Sequence, residues 1–372
     1  MKINIAVWWV LDYETGLRET LGGLERWTRD IVLELVKIGY DVTIYQKSKF
    51  EFNGNYHGAK IIGIRCSKNF SGNYFFYKKF SNIVDVTIPT IFISQDLIWG
   101  SDFKNSMAIN HGVWWSSRQS LVKKFLLEKF NSRYIKATKK TICVDTNYIN
   151  WVIESVPGGY QLANKLVFIP NYFDENQFFF SPKDFFSTKI NILFPRRIMG
   201  LNIHDEPRGG EDAILAIAGL IKIGFNIKLT MLGEGNLAPD LRSLVEKLGI
   251  EDNVIFETAS FDKMHLYYKE NDIVLVPSRF SEGTSLSAVE GLASGCFVIG
   301  SCVGGLQNLP LFPPFGDMVE PNPQALQSSI HRYIKNRSNY PVRNQASQDL
   351  VMQRFGMRNW KNKVLIELQS LM

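Results

Sequence analysis

The stretch Val276-Pro-Ser-Arg-Phe-Ser-Glu-Gly-Thr-Ser-Leu-Ser-Ala-Val-Glu-Gly-Leu-Ala-Ser-Gly295 concentrates the residues best suited to chemistry. An apolar run stops at Pro277, a glycine-containing loop carries Glu282, and a helix opens near Thr284 or Ser285. The unpaired N–H groups and positive dipole end of such a helix make a site for an anion. Glu282 precedes the helix, and Glu290 lies about a turn and a half inside it. The two carboxylates should therefore project to different parts of one ligand. Each carboxylate oxygen accepts more than one hydrogen bond, which suits the hydroxyls of a sugar. A structural alternative stands beside this reading. Ser287-x-x-Glu290 also fits a capping box, and Glu282 also fits a solvated loop charge.

Positioning such a site requires an ordered scaffold, and the chain is long enough to build one. Its 372 residues suggest two domains. With 45% apolar and 21% charged residues, it is globular rather than disordered or fibrous. The excess of six positive charges is too mild to mark a nucleic-acid binder.

Lys2 to Val10 is a nearly continuous apolar run, as expected of a parallel strand covered on both faces. After Gly22-Gly23, apolar residues at Leu24, Trp27, Ile31, Leu35 and Ile38 recur at helical spacing. Gly39 stops that helix, and Asp41 to Tyr45 starts the next strand. The alternation restarts near residue 189, with strands expected at Lys189–Phe194, Asn226–Leu232, Asn253–Glu257, Asp272–Pro277 and Cys296–Ser301. Helical patterns lie between them at about 209–223, 239–248, 262–271 and 285–294. Two Rossmann-like, doubly wound parallel sheets follow from this, and ligands bind such folds at the carboxyl ends of the strands. The expected layout is a first domain over 1–173, a connection over 174–187 and a second domain over 188–345, to which the family resemblance given below assigns acceptor binding and nucleotide-sugar binding in turn. A terminal helix within 346–372 is expected to pack back toward the first domain.

Cys66, Cys143, Cys296 and Cys302 lack C-x-x-C spacing and read as free thiols in a reducing compartment. The apolar start meets Asp12 and Glu14 with no small-residue cleavage site, unlike a signal peptide. The longest uncharged run, Gly291 to Gly316, holds three prolines and six glycines, unlike a spanning helix. A cytoplasmic protein is expected, peripheral at the inner face of the plasma membrane if the basic segment described below binds lipid.

The 276–295 stretch resembles the signature of glycosyltransferase family 4, retaining enzymes of the GT-B fold whose two glutamates stand eight positions apart. Other segments agree in order: Gly22-Gly23-Leu24-Glu25, Asn110-His111-Gly112, Ile169-Pro170-Asn171, Phe194-Pro195-Arg196-Arg197, Arg208-Gly209-Gly210, Leu232-Gly233-Glu234-Gly235 and Gly304-Gly305. The resemblance implies two sheets facing a central cleft and transfer of a hexose-type sugar, with retention. The donor would be UDP-, GDP- or dTDP-linked, and the acceptor a glycan or a lipid-linked species of bacterial polysaccharide assembly. It also implies that Glu282 contacts the transferred sugar and Glu290 the ribose. Gly22, Gly23, Gly233, Gly283, Thr284 and the amides of Ser285 and Leu286 would lie around the donor, with His111 near the reacting sugar. Arg197 and Arg208 would neutralise the diphosphate, although Arg208 replaces the usual lysine and Arg196 competes with Arg197 for the role. Arginine can clasp a phosphate through paired hydrogen bonds.

Breaking a sugar–diphosphate bond develops negative charge on the departing nucleotide, which fixed cations and a helix N-terminus stabilise. No D-x-D pair occurs, so neither a metal nor another cofactor is expected. A sugar-nucleotide epimerase of the same fold and a non-catalytic nucleotide-sugar-binding regulator are the alternatives. Gly233-x-Gly235-x-x-Ala238 mimics a dinucleotide fingerprint but is followed at once by Pro239.

Ser116 to Lys140 holds eight basic residues (Arg118, Lys123, Lys124, Lys129, Arg133, Lys136, Lys139, Lys140) against Glu128 alone. Leu121, Phe125, Leu126, Phe130 and Tyr134 are expected to form one apolar face. Such a helix suits an anionic membrane surface, or packs on the first sheet with a solvated basic face. The aromatic stretches Trp114-Trp115 and Tyr74 to Tyr77 suit sugar stacking or core packing.

Overall fold

The computed structural model describes all residues except 21, 114, 116–119, 185–186 and 341–344, and the side chains of 345–347. Trp114 and Arg118, named above, lie outside the described residues. The chain divides into two compact units, Met1–Pro170 with Lys361–Met372, and Asn171–Trp360.

The first unit runs β1 (Lys2–Val7), α1 (Gly23–Lys37), β2 (Asp41–Ser48), β3 (Phe52–Tyr56), β4 (Ala59–Arg65), α2 (Phe70–Ile83), β5 (Thr90–Phe92) and β6 (Ser106–Asn110). It continues with α3 (Leu121–Ala137), β7 (Lys140–Cys143), α4 (Thr146–Ser155), α5 (Gly159–Leu162) and β8 (Leu166–Phe168). Its strands form one sheet in the order β3-β4-β2-β1-β5-β6-β7-β8. All neighbours are parallel except the edge pair β3–β4. Ile3, Ile5, Ala6 and Val7 of β1 are fully buried, as the unbroken apolar run requires of a central strand. On α1, Trp27, Ile31, Val32 and Leu35 are buried, whereas Ile38 caps the helix and is 46% exposed.

The second unit runs β9 (Ile190–Phe194), α6 (Gly210–Lys222), β10 (Ile227–Leu232), α7 (Ala238–Leu248), β11 (Val254–Glu257), α8 (Met264–Glu270), β12 (Ile273–Val276) and α9 (Leu286–Ala293). It then adds β13 (Phe297–Ser301), β14 (Gly316–Val319), α10 (Pro323–Asn336) and α11 (Gln345–Phe355). The sheet order is β11-β10-β9-β12-β13-β14, parallel throughout. Strand order therefore reverses between β9 and β12, the position where open α/β sheets bind ligands. Helices cover both faces. Ile192, Ile214, Ile217, Leu229 and Leu275 meet in one apolar layer, and Leu193, Val274, Val276, Val289 and Leu292 in the other.

Segment 174–187 follows the first residues of the second unit. Its Phe178 is fully buried, 5.6 Å from the ring of Tyr268, and belongs to the second unit's core. At the chain end, α11 is followed by α12 (Met357–Gln369). Val351 and Phe355 of α11 pack in the second unit's core. Beyond Trp360 the chain belongs to the first unit, where Lys361 pairs with Glu34 at 2.9 Å. No helix among the described residues is long and apolar enough to cross a membrane.

Candidate active site

At the switch point of the second sheet, β9 ends and Pro195 turns the chain, leaving Arg196 only 7% exposed. Its guanidinium donates to Ser285 Oγ at 2.8 Å and to Ser278 Oγ at 3.3 Å. It also pairs with Glu282 Oε2, and so does Arg208 from the loop before α6. Ser278 Oγ completes the arrangement by donating to the same oxygen at 2.7 Å. One carboxylate thus holds two guanidiniums together. Burial pulls the Glu282 carboxyl pKa upward, but Arg196, Arg208 and Ser278 more than offset this and hold it below its usual value. Burial pulls Arg196 down, against the opposing field of Glu282. The cluster of two cations and one anion retains net positive charge.

Three backbone contacts fix these loops. A Cβ on Gly209, which has φ +77°, would lie 2.1 Å from the carbonyl oxygen of Pro277. One on Gly304, with φ +52°, would lie 2.2 Å from that of Glu282. Gly305 N donates to Glu282 O at 2.6 Å, and Asn171 Nδ2 donates to Thr284 O at 2.7 Å. The Glu282–Ser285 loop is therefore clamped from both sides. Ser285 is the N-cap of α9, yet its side chain makes no capping bond, because its hydroxyl receives Arg196. The first amides of α9 thus lack that internal acceptor and lie beside the two arginines. An anion bound there would meet both guanidiniums and a helix N-terminus.

Residues 201–336 match the family "Glycosyl transferases group 1". The chain is 25% identical over 327 residues to an uncharacterised glycosyltransferase of Methanocaldococcus jannaschii, covering 85% of this chain and 86% of that protein. Among solved structures, sucrose-phosphate synthase of Thermosynechococcus elongatus superposes with a TM-score of 0.77 at 17% identity, over 99% of this chain and 98% of that one. HepE of Anabaena in complex with UDP superposes with a TM-score of 0.75 at 16% identity, over the whole of both chains. The chain is a glycosyltransferase of the GT-B type.

In this glycosyltransferase the two adjacent arginines differ in placement. Arg197 is exposed, whereas Arg196 is buried against Glu282. Glu290 is 4% exposed and accepts from the hydroxyl of the fully buried Tyr268 at 2.8 Å. The capping-box alternative fails, because Ser287 donates its hydroxyl to Pro195 O at 2.9 Å and Ser285 occupies the cap. Gly233 and Gly235 serve close packing. Added Cβ atoms would lie 2.2 Å from Arg196 O and 1.6 Å from Ile198 O, so these glycines let the β10–α7 loop lie on the Arg196 segment. That contact accounts for the fingerprint-like spacing. Gly283 lies within the clamped loop, and Leu286 follows it, opening α9.

Neither Glu206 nor Arg279 stands out by residue type or spacing. Glu206 is fully buried and accepts from Arg208 N at 2.8 Å and Gly210 N at 2.9 Å, so it caps α6 and sets the backbone of Arg208. Arg279 donates through Nε to Asp212 at 2.7 Å and through Nη2 to Glu211 at 2.9 Å. Its own N–H reaches Pro207 O at 2.9 Å, tying the Glu282 loop to the Arg208 loop. Its hydrogen bonds to Asp212, and then to Glu211, raise its pKa. Both are ordinary charged loop residues by sequence, and only the meeting of two strand-end loops gives them their role.

His111, Gly22 and Gly23 belong to the first unit. Gly22 caps α1 and Gly23 opens it. His111 follows β6, and its ring lies 5.3 Å from that of Trp27 on α1. The His111 Nε2 is enclosed without a hydrogen-bond partner among the described residues. Burial lowers its pKa to about 3, so the imidazole is neutral in the physiological range. Trp115 packs against Tyr148 and Trp151, and Phe76 and Tyr77 are buried, which favours core packing for those aromatics.

Proposed function

We propose that this glycosyltransferase moves a hexose from a nucleotide diphosphate sugar, with retention and without a metal, to a glycan or lipid-linked acceptor. The observation that carries the reading is the pair of guanidiniums, Arg196 and Arg208, converging on one oxygen of Glu282 beside the first amides of α9. A diphosphate is the anion whose charge and size match that set of donors. In its absence Glu282 serves as the counter-ion of the arginines. When the diphosphate takes over the guanidiniums, the Glu282 carboxylate is released to accept hydrogen bonds from sugar hydroxyls.

In the transfer, the bond between the anomeric carbon and the phosphate oxygen breaks. A bond from the acceptor oxygen forms on the same face, and the acceptor proton passes to the departing phosphate. Charge grows on the diphosphate as this occurs, and donors fixed in advance stabilise that state more than the ground state. A neutral His111 suits hydrogen bonding to a sugar hydroxyl better than it suits charge stabilisation. HepE, which shares the fold, has been solved with UDP and with UDP-glucose, in keeping with a nucleotide-linked hexose donor.

The test incubates the protein with UDP-, GDP- and dTDP-hexoses in excess chelator, following nucleoside diphosphate release and product anomeric configuration by NMR. The expected outcome is turnover of one donor class with the donor's configuration kept. Inverted product, dependence on added divalent ion, or an epimerised donor would contradict it.

A further inference from the structure

We infer that the adjoining outward faces of α2 and α3 form a docking surface for an anionic lipid bilayer. The C-terminal half of α3 is anchored by buried Asn131, Tyr134 and Ile135, but its first turns are not packed. Leu121, Val122, Phe125 and Leu126 are 84%, 71%, 52% and 46% exposed. At about 100° per residue these four share one side of the helix, away from Asn131, Tyr134 and Ile135, with only the small buried Ser132 falling on their side nearer the C-terminus, and Lys129 and Lys136 continue it. An ordinary surface helix shows the reverse pattern, with polar residues outward.

The surface does not end with α3. Phe70 on α2 lies 5.9 Å from the ring of Phe130 on α3 and 5.5 Å from Trp99, which also meets Tyr74 at 5.6 Å. Phe70, Tyr74 and Phe75 are 49%, 40% and 56% exposed. Tryptophan and tyrosine favour the boundary between headgroups and acyl chains, where one end of the ring is wet and the other apolar.

Charge identifies the occupant. Of the basic residues in this segment, Lys139 and Lys140 are engaged by Ser370 O and Glu367, and Arg133 stacks over Trp99. Lys123, Lys124, Lys129 and Lys136 remain exposed around the apolar residues, with Lys129 over the Phe125 ring. Lysine is depleted from the centres of protein–protein interfaces but enriched on helices that lie in a membrane surface. Insertable apolar side chains combined with lysines provide the two signals that stable peripheral binding requires.

The inference stands on the first unit's surface alone, and its test does not require turnover. The full-length protein is co-sedimented with vesicles of phosphatidylcholine alone and of phosphatidylcholine with phosphatidylglycerol. Preference for the anionic vesicles is expected, weakening as salt is raised. Each basic residue near such a surface is worth about fivefold in partitioning. The triple variant Lys123→Gln/Lys124→Gln/Lys129→Gln should therefore lose about a hundredfold. Phe125→Ser/Leu126→Ser should lose binding to a comparable degree, since it removes insertion but keeps the charge. Melting temperatures matching the parent protein establish that both variants are folded. Equal binding to neutral and anionic vesicles, or unchanged binding by both variants, would overturn the proposal. So would a parent protein that binds no vesicle but forms a dimer broken by Phe125→Ser/Leu126→Ser.

Discussion

Glu282 and its two arginines illustrate how like charges are held together by one shared counter-ion. Two adjacent cations would repel, and the carboxylate between them lets Arg196 sit at 7% exposure. The residue types were legible beforehand, because a carboxylate in a glycine loop after an apolar run signals a strand-end site. The choice between Arg196 and Arg197 was not legible. Neighbouring loop arginines differ only in which one the turn at Pro195 directs inward, and the positions of Ser278 and Ser285 decide that. His111 gives a prediction at this scale. Its folded pKa of about 3 lies below the unfolded value near 6.5, so the unfolded chain binds the proton more readily. The stabilising effect of a neutral His111 is fully present above pH 6.5 and is lost as pH falls toward 3. Between pH 6.5 and pH 5 the loss is about 2 kcal/mol. Urea titrations across that interval should show a smaller decline for His111→Gln than for the parent. Equal declines would contradict the assignment.

The strand-end loops hold each other by backbone approach and by Arg279. That side chain is 11% exposed and faces Asp212 and Glu211, themselves 6% and 12% exposed. Replacing Arg279 by Gln leaves two nearly buried carboxylates without their cation, and losing one partner of a buried pair costs about 3–5 kcal/mol. Denaturant unfolding of Arg279→Gln should show a loss of that order, together with a higher KM for donor, because the Arg208 and Glu282 loops lose their tie. Arg279→Lys should recover part of the KM effect. An unchanged KM would assign Arg279 to stability alone. The alternation from β9 through β13 was readable because each strand is an apolar run and each helix an amphipathic repeat. Strand β3, Phe-Asn-Gly-Asn-Tyr, was not readable, since it is an edge strand with a polar, exposed middle. Strand β14 and helix α10 also went unread, the short Gly-Asp-Met-Val strand lying just after the long uncharged run.

At the scale of the molecule, each of the two compact units is built on one open sheet of mostly parallel strands, and the charged cluster lies wholly within the second. The doubly wound arrangement was legible from the repeated strand–helix alternation. The placing of Phe178 in the second unit's core was not, because its partner Tyr268 is distant in sequence. The central claim is that Arg196 and Arg208 receive a nucleoside diphosphate without a metal. Calorimetric titration with UDP, GDP and dTDP in excess chelator, on the parent and on Arg208→Ala, tests it most directly. At least one nucleotide is expected to bind in chelator, about tenfold or more weakly to Arg208→Ala, the loss of one charge-assisted contact worth about 1.5–3 kcal/mol. Binding that disappears in chelator, or an Arg208→Ala affinity equal to the parent's, would contradict it.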